Sequence, residues 1–170
     1  MVSASRFDRQ TRQPDRPFGF TLIELMIVVV LIGIMATMAM PSFNALLARQ
    51  RIKDANSALV SHLTLARSEA IKRNADVMVS ANPSGWSSGW SVTAVEGSDT
   101  VTLADQPGLT RLRLSTGPSG PSSLIFNHGG RNDPANISFQ ISDATAGSTV
   151  TGRCVNLSLT GMPISRDGAC

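Results

Sequence analysis

Two cysteines and two histidines are all that this 170-residue chain has of the side chains that most often hold zinc or carry thiol chemistry. No CxxC and no His/Cys cluster at ligand spacing occurs, so neither a metal nor a redox centre is expected and no cofactor is implied. The GxSxG elbow, the HExxH helix and a paired-carboxylate motif are missing as well. Their absence removes the commonest routes to hydrolysis and points away from an enzyme. No internal repeat or low-complexity tract appears, and the length leaves room for one modest globular domain.

Net charge is also scarce once its location is considered. The formal +3 is mostly N-terminal: Arg6, Arg9, Arg12 and Arg16 against Asp8 and Asp15 contribute 4 − 2 = +2 within residues 1–19. The remainder carries 11 basic and 10 acidic residues, so overall charge gives no case for a polyanionic partner, and any such case must come from a local patch. Charge is nearly absent from Phe20 to Met40, 21 residues whose one strongly polar member is Glu24. As a helix they would span roughly 31 Å, the thickness of a bilayer's hydrocarbon core. Arginines precede this run and none lies within it, which keeps the N-terminus cytoplasmic and sends the rest across. A cleaved secretory signal fits less well, because the apolar run is too long and Ala36-Thr37-Met38-Ala39 is a poor cleavage site. Outside the cytoplasm, Cys154 and Cys170 would form a disulfide closing a loop of about 15 residues, stabilising by roughly 3 kcal/mol. The alternative is two unpaired thiols.

A charged carboxylate at membrane depth costs about 2.5 to 3.5 kcal/mol, so Glu24 needs a partner. Beyond Pro41 an amphipathic helix is predicted over 42–74, with Ile52, Ala55, Leu59, Leu63, Ala66 and Ala70 at three- and four-residue steps. Glu69 and Arg73 support its last turn and Asn74 stops it. Arg49, Arg51 and Lys53 form a basic cluster just after the apolar run, which reads as a solvated face. From residue 76 the period becomes two: "DVMVSA", "GWSVTAV", "TRLRLS", "SLIFN", "NISFQIS" and "RCVNLSL" alternate with turns such as "EGSD" and "DATAGS". About seven short strands after one long helix predict an α+β fold, an antiparallel β-sheet head (75–170) packed on the helix. The Gly/Pro/Ser stretch 115–123 is expected to be a mobile surface loop.

"GFTLIELMIVVVLIGIMATMAMP" resembles the N-terminus of type IV pilins and type II secretion pseudopilins. "LARSEAIKRNADVMVSAN" with "WSSGWSV", and "LIFNHGGR", are similar to the GspH/FimT branch of that family. The resemblance implies a leader, residues 1–19, removed by prepilin peptidase after Gly19, and an N-methylated Phe20 at the start of a transmembrane assembly helix, 20–41. It also implies a helix-kinking role for Pro41, and it supplies the partner of Glu24: the amine of Phe20 on a neighbouring subunit. An ion pair in low dielectric is costly when unmade and specific when made, so Glu24 would set the stagger between packed helices. The implied localisation is a single-pass inner-membrane protein with a periplasmic head, later part of a cell-surface pilus or a periplasmic pseudopilus. Its partners would be other pilins, its role that of a minor subunit in filament initiation or at the tip.

The alternative is a DNA-binding minor pilin. Relatives on the FimT side carry a C-terminal Gly-Arg-x-Arg; here Gly161 is kept, but Met162 and Ile164 stand where the arginines should be. Arg131, Arg153 and Arg166 are the residual candidates for phosphate contact. Trp86 and Trp90 would be either core aromatics or a stacking platform for bases. Arg67 would pair with a carboxylate or cap the sheet. His62 reads as a partly buried helix residue. His128 lies in "HGGR", which is similar to an esterase oxyanion loop in its letters but lacks a nucleophile and reads as a glycine-rich turn.

Overall fold

The structure, a computed structural model, describes residues 19–117 and 120–170; the side chains of 38–42 are not described. The expected leader thus lies outside the described residues, except for Gly19. The fold is α+β: helix α1 (Leu22–Arg73) precedes nine described strands. The chain divides between Met40 and Pro41 into two units. Helical assignment runs through Pro41 without a break.

In the first unit every described side chain from Gly19 to Thr37 is exposed, although nearly all are apolar. In the second, the helix buries one stripe. Ile52, Ala55, Leu59, Leu63, Ala66 and Ala70 are all in the core, four of them with no exposed surface. The spacing that predicted an amphipathic helix is thus the spacing that packs. Three alanines on the stripe let strands approach the helix axis closely, while the leucines and Ile52 fill the space between. The helix ends at Asn74, whose φ of 51° turns the chain left-handed. The Asn74 N–H donates to Ile71 and the Ala75 N–H to Ala70, at 3.3 and 3.2 Å, the paired bonds of a Schellman cap. Glu69 braces the last turn with an ion pair of 2.6 Å to Arg73. That hydrogen bond holds the Glu69 carboxyl below its ordinary pKa.

The strands form two antiparallel sheets. The five-stranded sheet has the order β3-β2-β1-β5-β6, from β1 (Val77–Asn82), β2 (Gly85–Glu96), β3 (Asp99–Pro107), β5 (Ser123–Phe126) and β6 (Asn132–Asp133). The four-stranded sheet is β4-β7-β8-β9, from β4 (Leu112–Ser115), β7 (Ile137–Asp143), β8 (Arg153–Leu157) and β9 (Pro163–Asp167). Alternate residues of both, such as Val77, Val79, Phe139, Ile141 and Val155, join the helix stripe in one core that begins at Ile52. The segment from Pro41 onward therefore folds around a core of its own. Ser87 on β2 ties the sheets together: its hydroxyl accepts the Leu114 N–H at 2.9 Å and donates to the Leu114 carbonyl at 3.2 Å.

Three strands escaped the sequence pattern. β3 and β9 lie at sheet edges, where one side faces solvent and apolar alternation fades; β9 is exposed along four of its five residues. β6 is two residues long. The stretch 115–123, expected to be a mobile loop, is fastened at its end. The Pro121 carbonyl accepts the Trp86 indole N–H at 2.9 Å, and the Ser122 carbonyl accepts the Ala81 N–H at 2.8 Å.

Both tryptophans are core residues, which rules out a base-stacking platform: Trp90 has no exposed surface and Trp86 has 5%. Trp86 packs edge to face on Phe139, ring centres 5.0 Å apart. The Trp90 indole N–H donates to His62 Nδ1 at 3.1 Å, so the imidazole proton sits on Nε2. Burial holds the His62 pKa below its ordinary value, partly offset by the Asp105 carboxylate. Protonating Nδ1 would abolish the bond to a buried indole. Because the folded state holds the His62 proton less tightly than the unfolded chain, stability is complete above the unfolded pKa of about 6.5 and is lost as pH falls through the lower folded value. Urea midpoints should fall between about pH 7.5 and pH 5.5, and His62→Gln, which keeps an acceptor that does not titrate, should flatten that slope. Glu69 and Asp143, both shifted below ordinary carboxyl values, contribute only in the more acidic range.

Candidate functional site

The first site is the start of α1. Thr21 is its N-cap: the hydroxyl accepts the Glu24 N–H at 3.2 Å, and the Thr21 carbonyl accepts the Leu25 N–H. "TLIE" has the Thr-x-x-Glu spacing of a capping box, of which the Thr21 half is made. Glu24 therefore occupies the first helical turn, where the free N–H groups and the helix dipole favour negative charge. Its carboxylate is exposed and has no hydrogen-bonding or ionic partner among the described residues. Phe20, 76% exposed, lies just before the cap. Cap, carboxylate and candidate N-terminal residue thus fall within five consecutive positions. Over the described residues no helix is long and apolar enough to cross a membrane; the described side chains of this run stop at Thr37, and the sequence continues it through Met38, Ala39 and Met40.

The second site lies where the helix closes against the two sheets. Among the described residues Arg67 pairs with no carboxylate. Its Nε–H is shared between the carbonyls of Gly130, at 3.1 Å, and Thr160, at 3.2 Å. One turn follows β5 and the other joins β8 to β9, so a single guanidinium holds both sheets to the helix. The glycines permit the approach. A Cβ at Gly161, whose φ is +74°, would sit 2.1 Å from the Gly130 carbonyl oxygen. "HGGR" is a turn in which the Asn127 side-chain oxygen accepts the Gly129 and Arg131 N–H groups, each at 3.0 Å. His128 is exposed there, with no nucleophile beside it in the sequence.

The three arginines considered for phosphate contact do not converge. Arg131 is exposed on the "HGGR" turn. Arg153 pairs with Asp167 at 2.9 Å and lines a groove with Arg49 and Lys53 of α1. Arg166 stands opposite Cys154 in the β8–β9 register, one position out of phase with Arg153, and therefore projects from the other face of that sheet. Met162 and Ile164 are 53% and 59% exposed and offer no charge to a phosphate. Cys154 and Cys170 are joined by a disulfide, Cα atoms 5.1 Å apart, which fastens the C-terminal residue to β8. Among the described residues no His, Cys, Asp and Glu cluster could hold a metal ion.

A long helix with an apolar N-terminal part, packed further on against antiparallel sheet, defines a pilin-like fold. The family model described as Type II transport protein GspH matches residues 55–161, and the Prokaryotic N-terminal methylation motif matches residues 16–40. The chain belongs to the GspH family. It is 34% identical over 111 residues to a fimbrial protein of Pseudomonas aeruginosa, covering 65% of this chain and 68% of that one. It is 42% identical over 67 residues to the type IV major pilin protein PilA of Myxococcus xanthus, covering 39% and 28% respectively. Its fold matches the crystal structure of the type IV minor pilin FimU of Pseudomonas aeruginosa with a TM-score of 0.56 and 24% identity, over 67% of this chain and 91% of that one.

The Arg67 junction generates a prediction about stability. Arg67→Ala should cost about 1.5 to 3 kcal/mol by leaving two carbonyls short of a charged donor. Gly161→Ala should cost about 2 kcal/mol or more, through its left-handed backbone and the clash with Gly130. Chemical unfolding of the Pro41–Cys170 segment measures both, and wild-type stability in either variant contradicts the role given to this junction.

Proposed function

We propose that this minor pilin or pseudopilin is anchored in the inner membrane by residues 20–41, is cut by prepilin peptidase after Gly19, and enters a filament through Glu24. The observation that carries the proposal is an apolar helix left uncovered on all sides. From Phe20 to Thr37 every described side chain is exposed. A helix that is apolar all round is stable in lipid or among other helices, not in water. Membrane storage supplies the first environment and a filament core the second. The same surface serves both.

Glu24 distinguishes them. In the bilayer its charge is a cost of a few kcal/mol, eased by the helix N-terminus. In a filament, cleavage after Gly19 would create a free amine on Phe20, and the amine of one subunit would neutralise the carboxylate of its neighbour. Such a pair is strong in low dielectric and tolerates little displacement, so it selects one stagger of helix against helix. The head has no part in that chemistry. It is a structural body whose disulfide suits the oxidising periplasm. Incorporation at filament initiation or at the tip fits a minor subunit, whether in a pilus or in a secretion pseudopilus.

Glu24→Ala should leave membrane insertion intact or improved, while incorporation into sheared filaments falls by at least tenfold, a loss of the size expected for an unmade buried ion pair. Immunoblots of membrane and filament fractions, with intact mass of the mature N-terminus, separate the steps. Normal incorporation of the variant, or mature protein that retains residues 1–19, would refute the mechanism.

A further inference from the structure

The end of the head that follows the apolar run carries an uneven charge. One shallow groove places Arg51 and Arg111 near Asp143, and another collects Arg49, Lys53 and Arg153 around Asp167. With Asp54 on the same helical turn, five cations face three carboxylates, 5 − 3 = +2. Among the described residues only Arg153 has an ion-pair partner within this group. Arg49 and Lys53 are exposed on α1, flanking the buried Ile52.

A second, independent feature lies one turn earlier. Phe43 and Leu46 are 61% and 59% exposed, and Leu47 shares their face of the helix. Exposed apolar residues, one of them aromatic, followed directly by Arg and Lys mark a segment adapted to the boundary between acyl chains and head groups. Water alone would not favour the apolar half, and a purely apolar phase would not favour the basic half.

We propose that this basic collar, residues 43–53 with Arg111 and Arg153, binds the anionic phosphodiester head groups of the membrane surface and seats the head there before assembly. The proposal rests on the membrane-anchor reading of residues 20–41. Nine helical residues from Met40 to Arg49 rise about 14 Å, and a long arginine or lysine side chain reaches back toward the phosphate layer. Each such cation is attracted to an anionic surface, and the attraction decays within a Debye length. Extraction into a filament then exchanges lipid phosphates for the surfaces of neighbouring subunits. A free phosphate ion or nucleic acid offers the same chemical group, but on the anchor reading residues 43–53 follow the membrane segment directly in the chain, which keeps lipid within their reach.

The test uses the Pro41–Cys170 segment, whose core is its own, with vesicles of phosphatidylcholine alone or mixed with phosphatidylglycerol. Co-sedimentation should be at least roughly tenfold stronger with the anionic vesicles and should collapse between about 0.05 and 0.5 M salt. The double variant R49E/K53E should lose at least tenfold in binding with an unchanged melting curve, whereas R131E, on the turn held by Arg67, should bind as wild type. Equal binding to both vesicle types, no binding, or full binding by the double variant would overturn the proposal. So would displacement by millimolar inorganic phosphate or a preference for a DNA duplex, which would assign the collar to a free anion or to nucleic acid. Because this segment lacks residues 20–40, its failure here leaves the anchor reading intact; release of the full chain from anionic membranes by high salt alone would sink the anchor reading and leave the collar's lipid binding standing.

Discussion

The stripe from Ile52 to Ala70 must be covered from two directions at once, and most of the head follows from that constraint. A single sheet laid on a helix covers an apolar stripe from one side. Here the five-stranded and four-stranded sheets both contribute side chains to the core around it. Alanines at 55, 66 and 70 keep the surface shallow enough for strand residues to reach the helix, and each is almost fully buried. Two sheets meeting over one helix leave a seam, and the seam needs polar fastening. Ser87 closes it between β2 and β4, and Arg67 closes it between the turns at Gly130 and Gly161.

Polar groups brought inside by this arrangement find specific partners. Asn56, 7% exposed on the helix, accepts the Ser165 hydroxyl at 2.6 Å and so fastens the edge strand β9. The Trp90 indole reaches His62 in the same way. Each bond contributes modestly when made, but a buried group left without its partner costs more than the bond gained. These contacts therefore act mainly on register and uniqueness, while burial of the stripe provides the bulk of the driving force.

Features governed by local periodicity were legible in the sequence. The helix stripe, the stop at Asn74, six strands with apolar alternation and the α+β class all depend on residues close in the chain. The edge strands β3 and β9 were not, because their sequences, "DTVTLADQP" and "PISRD", mix charges with apolar residues, whereas the edge strand β4 keeps its alternation in "LRLS". Nor was the division into two sheets, since β2 and β4 read alike as strands whichever sheet they join. Arg67 illustrates the limit most clearly. It lies 63 residues from one acceptor and 93 from the other, and both acceptors are backbone carbonyls, which no side-chain pattern announces. At the candidate assembly site the carboxylate of Glu24 was legible because it violates an otherwise apolar run, yet the N-cap at Thr21 three residues before it went unread although "TLIE" displays the spacing.

The helix thus solves two solvation problems with one continuous element. In the head its apolar residues are confined to a stripe, because the two sheets together cover only that stripe and water remains on the rest of the cylinder. Toward the N-terminus they surround the cylinder, because the environment expected there is apolar in every direction. The transition falls near Pro41, where the chain divides into two units. Neither half could be exchanged for the other: an apolar stripe alone would leave polar side chains in lipid, and an all-apolar helix in the head would expose its outer face to water. In the proposed assembly, Glu24 is the exception that would give the N-terminal half a direction. A uniformly apolar cylinder can slide or rotate against a neighbour at little cost, whereas one carboxylate near its end makes a single position electrostatically distinct.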